Sequence, residues 1–331
     1  MRALLLSLAL TATTLSLTPL TGTPLTVTPL TGTSLTAAPG GDPGGPRGDS
    51  FGSGRTRGVI LRNSKIVVSG NGLGGKSDGY RVQRPCWYEP GDKADDMLER
   101  QEDVRDYWFH TNPDGTTEDF DKFLKQYKDK VGEDGRWWTP AYNAADPNGL
   151  ACWSGLEGAV WVPAGQTPPA GITLAELYQL ARAALTVPEP TINLSPDVKS
   201  YVNLPTWVWL TGVGATTRSV TAELPGVMSA TVTATLSRID IDPGTTGNRA
   251  EVKENCGPTG HPYVKGGTWT CGVRYLRSSA DHPQDAYQLT VTTTWPVTGG
   301  AGFTFDPVVV DAVRQIPVGE VQTTVRESGK N

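Results

Sequence analysis

Hydrophobic and polar positions alternate most strictly along residues 227–241, VMSATVTATLSRIDI, where Ala230, Val232, Ala234 and Leu236 interleave with Thr231, Thr233, Thr235 and Ser237. A period of two puts one set on a dry face and the other on a wet face, which predicts a half-buried strand. Residues 287–295 repeat the pattern: Tyr287, Leu289, Val291 and Trp295 share one side, with Gln288, Thr290, Thr292 and Thr294 opposite. Turn formers punctuate these runs at Asp242-Pro243-Gly244 and Thr298-Gly299-Gly300. Several short strands with polar outer faces predict an antiparallel sandwich over 201–325.

The earlier half of the chain follows a period near 3.6. Asp92 can cap a helix running to about Phe109, with Met97, Gln101, Val104 and Trp108 on one stripe. A second helix after Thr117 carries Phe120, Phe123, Leu124, Tyr127 and Val131 at helical spacing. Thr173-Leu174-Ala175-Glu176 reads as a capping box for a third, whose apolar face is Leu174, Leu177, Tyr178, Ala181, Ala184 and Leu185. Pro188 and Pro190 end that helix, which predicts a helix and Pro-rich linker over 171–200 acting as a strut. Residues 59–75 read as a strand and a glycine-rich turn, and 152–163 as strand again. The region 59–170 is thus an α+β unit with a helical acidic layer.

Charge is unevenly spread. The net charge is −5, and residues 92–134 hold 14 of the 34 acidic side chains against 7 basic ones. The near-neutral remainder has no basic face, which excludes a nucleic-acid partner. Met1-Arg2 followed by ALLLSLAL resembles a secretory signal, with cleavage after Ala38. Residues 1–38 are read as signal peptide, with a five-residue repeat of the TPLTG type as its tail, and 39–58 as a disordered linker. The Arg47-Gly48-Asp49 in that linker is a chance match to an integrin ligand. The apolar run is short for a membrane span and the C-terminus is polar, so no transmembrane anchor is expected in the mature chain.

Four cysteines suit an oxidising compartment and structural staples. Three connectivities are open. Pairing of neighbours, Cys86 with Cys152 and Cys256 with Cys271, is the simplest because each bridge stays within one proposed domain. Zinc is disfavoured by the absence of any CxxC and by three scattered histidines.

Candidate chemistry is sparse. Gly70, Gly72 and Gly75 satisfy GxGxxG, but no helix opens at the last glycine, so no dinucleotide and no other cofactor is implied. Residues 110–121, HTNPDGTTEDFD, resemble a calcium loop and look like half of a dockerin repeat. Its oxygen ligands would be Asn112, Asp114, Glu118 and Asp121, but His110 stands where a carboxylate is expected. A turn followed by a capped helix is the simpler reading, and no metal is assigned. Asp240 and Asp242 share one side of a strand end, and His261 and His282 sit in polar loops without a GxSxG, so no catalytic residues are named. Trp207 and Trp209, in Thr-Trp-Val-Trp-Leu, share a strand side that either faces the core or offers a stacking platform for a sugar; the core is the commoner use.

Residues 240–245, Cys271-Gly-Val-Arg-Tyr275 and the strand 286–291 resemble a divergent PKD domain over 235–295, with the usual WDFGDG turn degraded. The wider run 188–325, with VNLPTWVWL, LPGVMSATVTATL and CGVRYLRSS, resembles a family of actinobacterial exported proteins of unknown function. Its members often carry the labels ATP/GTP-binding protein or enoyl reductase, for which this chain has no motif. The fold class expected is therefore an α+β N-terminal region followed by an all-β immunoglobulin/PKD-like sandwich. The function expected is an exported, non-catalytic binding or structural module, secreted or associated with the cell envelope, whose partner is an envelope or extracellular protein. The alternative is a carbohydrate- or cell-wall-binding protein, with or without hydrolase activity, whose partner is wall polysaccharide.

Overall fold

The computed structural model describes residues 59–321; the expected signal peptide, the linker with its Arg47-Gly48-Asp49, and residues 322–331 lie outside them. The first half of the chain forms β1 (Leu61–Arg62), β2 (Val67–Ser69), β3 (Cys86–Pro90), α1 (Ala94–Asp103), α2 (Arg105–Thr111), α3 (Thr117–Lys128), β4 (Gly135–Asn143), α4 (Gly149–Ser154), β5 (Val160–Pro163) and α5 (Leu174–Ala184). The second half forms β6 (Thr191–Ser195), β7 (Ser200–Tyr201), β8 (Pro205–Thr211), β9 (Thr217–Leu224), β10 (Met228–Thr235), β11 (Arg238–Asp242), β12 (Ala250–Glu254), β13 (Cys271–Tyr275), β14 (Ala286–Gly299) and β15 (Thr304–Gly319). Three sheets result. The smallest elements join β1-β4-β3 with β5 on β4; the largest sheet runs β2-β9-β10-β14-β15-β7 with β11 beside β14; the third is β12-β13-β8-β6. The protein is β-rich, as its alternating runs predict.

The long hairpin of β14 and β15 is the central element. Tyr287, Leu289, Val291 and Trp295 are wholly buried, as are Val308 and Val310 opposite them or nearly so. Across the core, the Tyr275 ring of β13 stacks on Tyr287 with centroids 4.7 Å apart, so two sheets share one apolar interior. The run 227–241 forms two strands rather than one. Leu236 leaves the line to bond Thr216, Ser237 bonds the Thr294 carbonyl, and β10 and β11 then lie end to end along β14. The break falls beside Pro296, which has no N–H for a ladder.

The segment expected to be a strut is part of this core. In α5, Leu177, Leu180, Ala181 and Ala183 are buried, packed over β9 and β10. Its Thr173/Glu176 capping box is present as expected. Residues 59–321 fall in one compact unit, and β2, from the N-terminal region, extends the largest sheet by pairing with β9. The period of the helix marked its apolar face but not which sheet that face would meet.

Three smaller expectations are corrected. The first acidic helix breaks at Val104 into α1 and α2, and Lys93 rather than Asp92 precedes it. The second is capped by Thr116, whose hydroxyl accepts from the Asp119 N–H while the Asp119 carboxylate accepts from Thr116; Val131 is exposed. Cys152 and Trp153 lie in the short helix α4, not in a strand. Both disulfides pair neighbours, Cys86 with Cys152 and Cys256 with Cys271. Among the described residues no helix is long and apolar enough to cross a membrane.

Candidate functional site

Strand β8 sits between β13 and β6, so both of its faces are defined by register. Thr206, Val208 and Leu210 turn inward and are buried. Trp207 and Trp209 turn to the other face, level with Gly272 of β13 and with Ser195 and Asn193 of β6. The two tryptophans share a side, as the spacing requires, but that side is not the main core. Trp207 is nevertheless only 7% exposed. Its cover is the loop between Cys256 and Cys271, not the opposite sheet.

That loop is fastened at several points. The Cys256–Cys271 bridge closes it at a sequence separation of 15. The Leu210 N–H bonds the Thr259 carbonyl at 2.7 Å, and Gly260 forms a bridge to Trp209. Gly260 lies so close to the Val208 carbonyl, at φ +74°, that no Cβ fits there. Tyr263 then meets the Trp207 ring edge-on, with centroids 5.7 Å apart. Beyond these contacts the loop turns outward: Tyr263 is 51% and Val264 61% exposed, followed by exposed Lys265 and Gly266-Gly267. An aromatic, an aliphatic and a cation thus stand at the tip of a loop held at its base.

Charge borders this face without competing for the tip. Glu251 pairs with Arg274 and, at 3.1 Å, with Lys253. The hydrogen bond from Arg274, then that from Lys253, holds the Glu251 carboxyl below its usual range. Lys253 and Arg274 both lie over the Trp269 ring, 5.9 and 5.6 Å from its centroid. Trp269 and the tip residues were not singled out from the sequence. The available signal was a stretch between two cysteines with no periodicity, carrying Tyr-Val among prolines and glycines.

The remaining candidates do not converge. Asn112 ends α2, its side-chain amide donating to the Trp108 carbonyl at 2.8 Å; Glu118 and Asp121 on α3 face Lys122 and Lys128. Asp114 lies in the intervening turn, and among the described residues no three Asp, Glu, His or Cys side chains group as metal ligands. Asp240 pairs with Arg238, while Asp242 accepts from the Gly244 N–H as a turn residue. His261 contacts the Asn255 carbonyl and His282 packs on Tyr287, well separated in the sequence and on different loops. The glycine-rich turn lies against β9 and the end of α5: Gly72 bonds Ser219 and Thr186, and Lys76 pairs with Val187, with no helix opening after Gly75.

One buried carboxylate escaped the sequence reading. Glu89 of β3 accepts from Ser64 Oγ at 2.6 Å, from the Lys65 N–H at 2.6 Å and from Trp87 Nε1 at 2.7 Å. Burial outweighs these three donors and pushes its carboxyl above the usual range. It pins residues 64–66 to β3, and a cleft of about 420 Å³ nearby is lined by Pro90, Lys93, Arg136 and Trp138 among others. Compared with protein-family models, with curated proteins and with solved structures, the chain finds no match in any of the three.

Proposed function

We propose that this chain is an exported, non-catalytic binding module that acts at the cell surface or in the extracellular space through the loop closed by Cys256 and Cys271. The observation that carries the reading is the exposed Tyr263-Val264 tip on a base fixed by a disulfide, by bonds to β8 and by Trp207. A tip ordered before contact loses little conformational freedom on binding, and exposed Tyr is among the side chains that contribute most at interfaces. The partner is an envelope or extracellular protein. Export is supported by the signal-like N-terminus and by two disulfides.

An immunoglobulin- or PKD-like assignment for 201–325 is supported by the closing strand. Tyr287, at the start of β14, donates its hydroxyl to the Ser278 carbonyl at 2.9 Å, a corner of the kind found in immunoglobulin domains. Such domains serve as adhesive surfaces elsewhere, and that part of the argument rests on fold analogy. A carbohydrate-binding reading has its own observation: Trp209 is half-buried beside Asn193, whose amide bonds Thr211 Oγ1. It is the weaker reading, because Trp207 is covered and the two rings form no open platform.

The test is crosslinking of tagged protein in cells, comparing the native chain with Tyr263→Ala/Val264→Ala. A reproducible envelope protein that the double variant loses, at unchanged unfolding midpoint, supports the reading. Equal capture by both forms removes the loop from it. Recovery of wall glycan that depends on Trp209 and not on Tyr263 transfers the case to the carbohydrate reading.

A further inference from the structure

Strand β15 is paired with β14 along almost its whole length, but its other edge is paired only at the end, where β7 meets Val318 and Gly319. Among the described residues no strand pairs with that edge between Thr304 and Pro317. Two bonds fix which residues face it. The Val310 carbonyl accepts from Thr293 Oγ1 on the β14 side at 3.0 Å, whereas the Gly319 carbonyl accepts from the Val202 N–H on the β7 side at 2.9 Å. Backbone groups alternate sides residue by residue in a strand. Counting by twos, Val309, Asp311, Val313 and Gln315 turn their N–H and C=O to the open edge. Lys76 Nζ lies 3.4 Å from the Asp311 carbonyl.

Pro307 and Pro317 bracket this stretch, and 308–316 contains no proline. Proteins usually blunt a long edge because unpaired donors and acceptors are a template for another strand. Here the two prolines stand at the ends, and between them Lys76 donates to one lone pair of the Asp311 carbonyl, which leaves the second for a partner N–H. Val309 and Val313 are 44% and 54% exposed on its outer face. Below it lies a cleft of about 580 Å³, lined by Pro190, Ile192, Ala312, Val313 and Arg314 among others.

We propose that this edge binds the same edge of a second copy of the chain, antiparallel, about a two-fold axis through Ala312. The proline-free window is symmetric about that residue, which favours a second copy over an unrelated strand. In this register Asp311 pairs with the partner's Val313, and Val309 with the partner's Gln315, so all four open residues bond among themselves. A slip of two residues in either direction sets an open residue against a proline, which has no N–H. The slip that centres on Asp311 also places two carboxylates opposite each other, an unfavourable cross-strand pair. Ala312 falls on the axis as a non-hydrogen-bonded pair, where Cα atoms approach to about 4.5 Å and a small side chain suits the contact. The paired stretch ends at Pro307 and Pro317, because β7 already holds the edge at Val318 and Gly319, and within that stretch the largest sheet continues from one copy into the other.

Light scattering on the full chain over a range of concentrations tests this. The expected result is a mass approaching two chains at about tens of micromolar, reduced at least tenfold in affinity by Val313→Glu, which sets a carboxylate opposite the partner's Asp311 at an exposed position. Ala312→Cys gives a second readout: mild oxidation should produce a covalent dimer, since the Cα separation on the axis lies within disulfide range. Cysteine at Thr231, exposed on β10, should not crosslink. A single-chain mass at every concentration overturns the proposal. So does a dimer unaffected by Val313→Glu, or one that Ala312→Cys never traps while the variant unfolds at the native midpoint.

Discussion

The core around β14 and the helical lobe of α1 to α3 bury apolar side chains by different means. Tyr287, Leu289, Val291 and Trp295 alternate along one strand that meets the sheet containing β13 through the Tyr275–Tyr287 stack, and none retains exposed surface. In the lobe, Met97, Tyr127 and Trp137 form a separate small cluster, with Leu98, Phe123 and Trp161 only partly buried around it. Its acidic side chains pair locally, as in Lys125–Asp129 and Lys122–Glu118. A strand in the interior of a large sheet gains cover from several elements at once. The short helices at the rim gain it from each other and from β4, and aromatic rings such as Phe120 and Phe123, stacked 5.9 Å apart, supply the area. The interior should therefore respond to perturbation far more than the rim.

The largest effect is expected from the bridges. Replacing Cys86 and Cys152 by Ala opens a loop with a sequence separation of 66 and should cost about 4 kcal/mol in urea unfolding. The corresponding change at Cys256 and Cys271, with a separation of 15, should cost about 3 kcal/mol. Equal losses would mean that the unfolded chain does not govern the difference. Leu289→Ala, in the interior, should cost about 3 kcal/mol, and Phe123→Ala in the lobe about half of that. If the lobe variant proves the worse of the two, the contrast between interior and rim fails.

Glu89 sharpens the comparison through pH. Its carboxyl is pushed up by burial, so between the ordinary glutamate value and the raised one the folded chain holds more protons than the unfolded chain. Its contribution to stability is full below that window and is lost as pH rises through it. Unfolding free energies measured from acid to neutral pH should show this decline in the native chain, and Glu89→Gln should flatten it. The variant should also lose about 1–3 kcal/mol at low pH, because an amide NH₂ cannot accept from both Ser64 and Trp87 on one side and from Lys65 on the other. The smallest effect belongs to the rim: Thr116→Ala should cost about 1 kcal/mol by removing the cap of α3, read from the same unfolding curves.

Much of the local structure was legible because it depends on neighbours in the chain. The alternation at 287–295 set which residues of β14 would be buried, and the Thr173/Glu176 box placed the start of α5 within a residue. The cap of α3 was displaced by one residue, since Thr116 and Thr117 are equally able to accept and only the backbone turn at Gly115 selects the first. The loop site was less legible. Trp207 and Trp209 were rightly placed on one side of a strand, but an alternating strand has two sides, and covering one of them from 256–271 is a long-range contact with no periodic signal.

The sequence by itself determined the strands of alternating residues, the capped helices, the acidic layer and a β-rich second half. Those follow from repeat lengths, caps and turn residues, which act within a few positions. Tertiary structure alone decided that α5 lies on the largest sheet instead of bridging two domains, that β2 joins that sheet across more than a hundred residues, and that Trp207 lies under a loop tipped by Tyr263 and Val264. It also decided that the outer edge of β15 is paired, among the described residues, by β7 at Val318 and Gly319 alone. Which faces meet depends on burying the most apolar area over the whole chain at once, and no local pattern carries that information.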